Sequence, residues 1–197
     1  INEVKEFVPA EIDQTLFNSV FGEGNVNSVE EFEEKIIESI KETYAMETEF
    51  LLALDIKDML REKLEISLPE EFLKRWLKAT NKDITEEQIE EEFSGFIENL
   101  KWTLIKNQIA KDNEIKISQE DLIEGAKKNM LDQFRKYGIN ELPEDSLNKF
   151  AMEMLQKEEE ANKIGEQKLE EKVIEKIKEK IKIKSKSVSI DEIKKIF

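Results

Sequence analysis

The side chains that could do chemistry in this chain are almost all carboxylates. There is no histidine and no cysteine among its 197 residues. That removes Cys–His zinc sites, Cys–His and Ser–His nucleophiles, and imidazole proton transfer. Acidic residues are abundant, as in Glu30-Glu31, Glu86-Glu87, Glu90-Glu91-Glu92 and Glu158-Glu159-Glu160. Paired carboxylates can serve as acid and base or hold a hard cation. Here, however, they alternate with lysine and fall on the polar sides of helical patterns, which is how a solvated surface reads. The glycines of Gly22-x-Gly24 do not follow a strand pattern, so they make no phosphate-cradling loop. The sequence therefore assigns no catalytic residue, no metal ligand and no cofactor.

What remains is apolar chemistry. Hydrophobic residues make up 39% of the chain and charged residues another 39%, with only six glycines and three prolines. So little turn chemistry argues against a sheet protein and for long, heavily charged helices. The formal charge of −15 repels nucleic acid and anionic membranes, so neither is expected as a partner. No apolar run is long enough to span a bilayer and no signal-peptide pattern is present, so the expected compartment is a reducing cytoplasm. The first residue is Ile, which suggests a segment of a longer protein.

The helices can be placed from their starts. A short apolar helix is expected from near Pro9, ending at the Gly22–Asn27 turn. Ser28-Val-Glu-Glu31 then forms a capping box, and Val29, Phe32, Ile36, Ile40 and Tyr44 follow at helical spacing. From Phe50 to Leu64 the apolar face widens, so this helix should be thinly covered at its start and deeply buried at its end. Thr85 with Gln88 makes a second capping box, flanked by an Ile84–Ile89 staple. Three stretches share one design, in which an apolar-x-apolar passage leads into a new helix. They are Glu65-Ile-Ser-Leu-Pro69, Asn113-Glu-Ile-Lys-Ile-Ser118 and Ser185-Lys-Ser-Val-Ser189. In each, the residue before the cap and the one four positions after it are apolar, as in Leu68 and Leu73, Ile117 and Leu122, or Val188 and Ile193. Residues 144–182 read as one long helix with apolar ends and a polar middle, which should bridge two packing sites. The basic run Lys176–Lys186 reads as a solvated face, favoured near a helix C-terminus by the helix dipole.

Several of these pieces, taken in order, resemble a known family. They are Val4-Lys-Glu-Phe-Val-Pro-Ala-Glu-Ile12, Val29-Glu-Glu-Phe-Glu-Glu-Lys-Ile-Ile37 and Leu64-Glu-Ile-Ser-Leu-Pro-Glu-Glu-Phe-Leu73. Farther on come Trp102-Thr-Leu-Ile-Lys-Asn-Gln-Ile-Ala110 and Asn113-Glu-Ile-Lys-Ile-Ser-Gln-Glu-Asp-Leu122. The order resembles the C-terminal chaperone domain of bacterial trigger factor, over nearly the whole chain. The resemblance implies an all-α fold, an elongated multi-helix body with protruding helical arms, related to the core of the periplasmic SurA chaperones. It implies that residues 1–197 are a single helical chaperone domain which shelters nascent or unfolded polypeptides in an apolar, acid-rimmed cradle without ATP. The family's ribosome-docking loop and prolyl isomerase domain are not found here. Ribosome binding and isomerase activity are therefore expected of another part of the parent protein.

More Met and aromatic side chains are present than a thin helical body can hide, and such side chains suit promiscuous binding. Phe72, Trp76, Phe93, Phe96, Met130, Phe134 and Tyr137 are the residues expected to line a client surface. A homodimer is compatible with the sequence. The alternative is a helical adaptor with one dedicated partner helix, and a SurA-like exported chaperone is a third reading. An enzyme ranks last.

Overall fold

The computed structural model describes residues 10–81, 84–135, 142–189 and 192. Among them there are seven helices and no strand, an all-α fold. The chain divides into two compact units, residues 1–55 and 56–197.

In the first unit α1 spans Gln14–Phe21 and α2 begins at Val29. The expected start near Pro9 is corrected: Pro9 lies outside the described residues, residues 10–13 are not helical, and Asp13 caps α1. Its carboxylate accepts the amides of Thr15 at 2.9 Å and Leu16 at 3.0 Å, two donors that a helix start leaves unpaired. The Phe17 ring stacks on Phe32 at 4.9 Å and the Phe21 ring meets Phe32 edge-on at 5.6 Å, which fixes α1 against the first turns of α2. Gly22 and Gly24 turn the chain between them at φ 88° and 77°, values a side chain would resist. At Ser28 the hydroxyl accepts the Glu31 amide at 3.2 Å, but the Glu31 carboxylate takes the Asn27 amide at 2.8 Å instead of Ser28's own.

The helix α2 runs Val29–Lys63, through the division between the units. In the second unit it is followed by α3 (Glu70–Thr80), α4 (Glu86–Asp112), α5 (Gln119–Arg135), α6 (Glu144–Leu155) and α7 (Glu158–Lys178). Two small cores organise them. Where α3 folds back on α4, Ile89, Phe93 and Ile97 are buried under Leu68, Leu73, Leu77, Ile84 and Phe96. Around α5, α6 and α7, Ala126, Ala151 and Ile164 are buried under Leu122, Met154 and Leu155. Small residues let these three helices approach closely. A Cβ on Gly125 would sit 2.8 Å from Cγ2 of Ile164 and 3.2 Å from Cγ of Lys168.

The long helix expected over residues 144–182 is two helices. The chain breaks at Gln156–Lys157 and α7 packs back on α5 and α6. The Lys157 amide reaches the Met154 carbonyl at 3.1 Å in a tight closing turn, and the Lys157 carbonyl then starts α7 by accepting from Ala161 at 2.9 Å. The break trades a few helical hydrogen bonds for the insertion of Ile164, 1% exposed, into the core. The polar stretch that was to bridge two packing sites is instead the corner of a helical hairpin.

The helix starts follow their sequence signals. Thr85 and Gln88 form a reciprocal capping box, with side chain to amide distances of 3.2 Å and 2.9 Å. Ser118 and Asp121 make the same exchange at the head of α5, at 2.7 Å and 3.2 Å. Asp121 also accepts from the Lys172 ammonium of α7 at 2.6 Å. That ammonium, then the Ser118 amide and hydroxyl, hold the Asp121 carboxyl far below the usual carboxylate range. Ser189 and Glu192 repeat the pattern at 2.8 Å and 3.3 Å, while Ile193 lies outside the described residues. The passage out of α4 closes with the Ile115 amide on the Ala110 carbonyl at 2.9 Å and the Glu114 amide on the Lys111 carbonyl at 3.2 Å. This leaves Glu114 at φ 53°, the left-handed position that glycine usually fills.

Three outcomes are expected. Glu114→Gly should stabilise the protein by about 1 kcal/mol, visible as a rise in the thermal midpoint, because it removes a left-handed residue bearing a Cβ. Gly125→Ala should destabilise it by about 1–3 kcal/mol in the same measurement, because the new methyl overpacks against Ile164. Asp121 has a folded pKa below its unfolded one, so its contribution is fully present above about pH 4 and is lost as pH falls toward the folded value. The stability difference between wild type and Asp121→Asn should therefore shrink in denaturant titrations as the pH is lowered through that range.

Candidate functional site

Among the described residues, the buried polar groups of the second unit are satisfied from within. On α4 the buried Trp102 indole N–H donates to Glu170 of α7 at 3.0 Å, and Lys57 of α2 pairs with the same carboxylate. The Lys57 ammonium also stands 5.6 Å from the Trp102 ring centre. Burial pushes the Glu170 carboxyl up, but the bonds from Lys57 and Trp102 bring it below its ordinary value. One turn further on, Lys106 buries its stem and reaches Glu166 at 2.5 Å. Between α5 and α7, burial lowers the Lys168 ammonium, yet Glu171 at 3.1 Å and Glu124 at 3.2 Å raise it overall. Among the described residues no buried side-chain nitrogen or oxygen lacks a partner, and no three carboxylates gather where a cation could sit. Groups so engaged hold helices together and are not poised for reaction.

The open chemistry is on α3. Leu73 and Leu77 face α4, so Phe72 and Trp76, one position earlier on the helix, point outward and are 54% and 47% exposed. A separate groove of about 630 Å³ lies between α3 and α4, lined by Lys74, Arg75, Lys78, Glu86, Glu87, Ile89 and Glu90, and neither Phe72 nor Trp76 lines it. Its walls carry opposite charge, and Lys74–Glu90 at 2.6 Å and the Lys78–Glu86 pair cross it. The Glu90 carboxylate raises the Lys74 pKa, and Lys78 lowers that of Glu86. The Lys74 ammonium also stands 4.9 Å from the Phe93 ring centre. The edge of this groove is mixed in charge.

Of the seven expected surface residues, the six among the described residues do not form one patch. Phe93 is 7% exposed and is a core residue, since the α4 face carrying Ile89 and Ile97 turns it toward α3. Phe96 is half-buried against the same core, its ring 6.1 Å from that of Phe93. Met130 and Phe134 are half-buried on α5, with Phe134 6.3 Å from Phe150 of α6. Tyr137 lies outside the described residues. Other exposed apolar side chains include Leu64, Leu104 and Met152 in this unit, and Ile37, Ile40, Met46 and Phe50 on α2. Helical periodicity marks such residues as apolar but does not say which lack a packing partner.

Among the described residues no helix is long and apolar enough to cross a membrane. No curated protein and no solved structure matches the chain. A family model, described as the probable trigger factor C-terminal domain, matches residues 47–197. That interval takes in the whole second unit, with its two cores, its groove and the exposed α3 face, and leaves the resembling stretches at 4–12 and 29–37 outside it. On this match, which spans well over half of the sequence, the chain belongs to the trigger factor C-terminal domain family, and its role is chaperone-related.

Proposed function

We propose that the chain is an ATP-independent holding chaperone that takes up short apolar segments of nascent or unfolded polypeptides, and that both units act as one chaperone domain. The observation that carries this reading is the exposure of Phe72 and Trp76 on α3. Large apolar side chains left in water favour binding. The groove's mixed charge accepts clients of either sign. Phe96, Met130 and Phe134, half-buried as they are, serve as secondary contacts for the same clients.

Magnitudes favour many weak contacts. Burying about 400 Å² of apolar surface yields roughly 10 kcal/mol at about 25 cal/mol per Å². Association costs roughly 4–15 kcal/mol, so one patch binds weakly. Affinity comes from several patches engaging one flexible chain, and each contact releases easily, which lets a client leave and fold. The setting of this activity is the cytoplasm.

The test is aggregation of a chemically unfolded protein, followed by light scattering with the chaperone at near-stoichiometric ratio. Wild type should suppress it. Phe72→Ser/Trp76→Ser should need on the order of tenfold more protein for the same suppression, given about 1.5–3 kcal/mol per apolar side chain. Its thermal midpoint should hardly move, because both residues are exposed. Phe93→Ala should instead cost about 3–5 kcal/mol of stability, as a core truncation. Equal suppression by wild type and the double variant defeats the proposal. One saturable folded partner, with no effect on unfolded clients, would instead support the adaptor reading.

A further inference from the structure

Past the end of α7 the chain stops packing on its neighbours. Residues 182–189 form neither helix nor strand, run without a turn or bend, and are exposed throughout. Both ends of this straight segment are held. Before it, Lys180 donates to the Asn113 carboxamide at 2.7 Å, and the Ile181 amide reaches the Ile177 carbonyl at 3.1 Å. After it, the Ser189 amide donates to the Glu192 carboxylate at 2.8 Å. Between these anchors, among the described residues, the backbone of residues 182–188 makes no hydrogen bond. Its charge is as distinct as its backbone. Residues 180–189 include no acidic side chain, in a chain that carries 46. On α7 the lysines are engaged, Lys168 with Glu124 and Glu171, Lys172 with Asp121, and Lys176 with Glu179. Among the described residues, Lys182, Lys184 and Lys186 have no such partner. Successive side chains of an extended chain alternate in direction, so these three lysines share a face with Val188. Ile183, 47% exposed, lies on the other face with Ser185 and Ser187.

We propose that residues 182–188 are a docking strand for an acidic, extended polypeptide segment. Unpaired amides and carbonyls in a straight, exposed stretch are a template on which a second strand can form hydrogen bonds. Side chains directly opposite each other across such a pair lie about 5 Å apart, close enough for charges to interact. Carboxylates at alternate positions of the incoming segment therefore meet Lys182, Lys184 and Lys186. The charge chooses the partner. A protein of formal charge −15 repels acidic polypeptides as a whole, and this segment reverses the sign locally. Nucleic acid is the other polyanion, but the segment has no aromatic ring on which bases could stack. Its alternation of Ile183 and Val188 with polar residues suits a second β-strand instead. Two strands alone pair weakly, so the contact is reversible and sensitive to salt. The site needs only this segment and stands whether or not the α3 face holds clients.

The test is fluorescence anisotropy of a labelled peptide of alternating glutamate and valine, as long as the segment, titrated with the full chain. The peptide should bind, and its affinity should fall as salt is raised. Lys182→Gln/Lys184→Gln/Lys186→Gln should weaken binding about tenfold, the combined effect of three exposed charge pairs. Lys182→Arg/Lys184→Arg/Lys186→Arg should bind like wild type, because it keeps the charge. Ser185→Pro/Lys186→Pro takes one amide from each edge of the segment and should bind several-fold more weakly than Lys186→Gln. None of these changes should move the thermal midpoint, since every position is exposed. No binding at the highest concentration the protein reaches would overturn the proposal. So would equal binding of the same peptide with lysine in place of glutamate, or a glutamine variant that binds like wild type. A proline variant no weaker than Lys186→Gln would do the same, as would a single-stranded RNA of equal length that displaces the labelled peptide more readily than unlabelled peptide does.

Discussion

The second unit depends on one hydrogen bond, from the Trp102 indole to the Glu170 carboxylate at 3.0 Å. A buried indole needs an acceptor, and a half-buried carboxylate needs a cation, which Lys57 supplies. Together the three residues tie the last turns of α2 to the middle of α4 and to α7. Lys106 and Glu166 repeat the tie one turn along. The Glu166 side chain is 63% exposed, so the charge attraction there is heavily screened. The larger gain is that the lysine stem is covered while its head stays wet. With α4 and α7 joined at this place, the α3 hairpin is placed toward one end of α4, and α5 and α6 are gathered on α7.

Cores built this way are small, and that determines which apolar groups stay outside. On α3 the pairs Phe72 with Trp76 and Leu73 with Leu77 form two stripes about 100° apart around the helix axis. A helix packed against one neighbour buries one stripe. The leucines occupy it, because they meet Ile89, Phe93 and Ile97 across the hairpin. The larger rings are left to water for want of a second neighbour, and not through any weakness of their own packing. The client surface proposed for this protein is thus a product of topology. A further helix over α3 would turn the same residues into ordinary core.

Much of the fold could be read from the residues because its signals are local. A capping box such as Thr85 with Gln88 involves side chains three apart, and the Ile84–Ile89 staple ends up in the core beside it. The apolar-x-apolar passages at 64–69 and 113–118 do separate helices, while the helix expected after the third, at 185–189, lies outside the described residues. The break at Gln156–Lys157 could not be read, because no glycine or proline marks it. Its cause is the gain from placing Ile164 against Ala126 and Ala151, residues distant in sequence. Phe93 was misassigned for a related reason. Apolar residues at helical spacing reveal a stripe, but whether the stripe meets another helix or water depends on which neighbour the chain brings to it. The α1 start lies later than expected because the Asp13 carboxylate accepts the Thr15 and Leu16 amides and so caps the helix there.

Charge at two length scales reconciles an exposed apolar surface with a protein of formal charge −15. Repulsion between whole molecules is screened beyond about 8 Å at physiological salt, so it slows encounters without governing contacts once they form. Contacts answer to the immediate surroundings, and the exposed apolar side chains lie in locally neutral ones. Across the α3–α4 groove, Lys74 and Lys78 offset Glu90 and Glu86. A uniform coat of acid would make every surface repel an acidic client equally. Because ion pairs offset the acid across the groove, the excess charge elsewhere keeps the protein dispersed while the exposed Phe72 and Trp76 remain open to a polypeptide at short range.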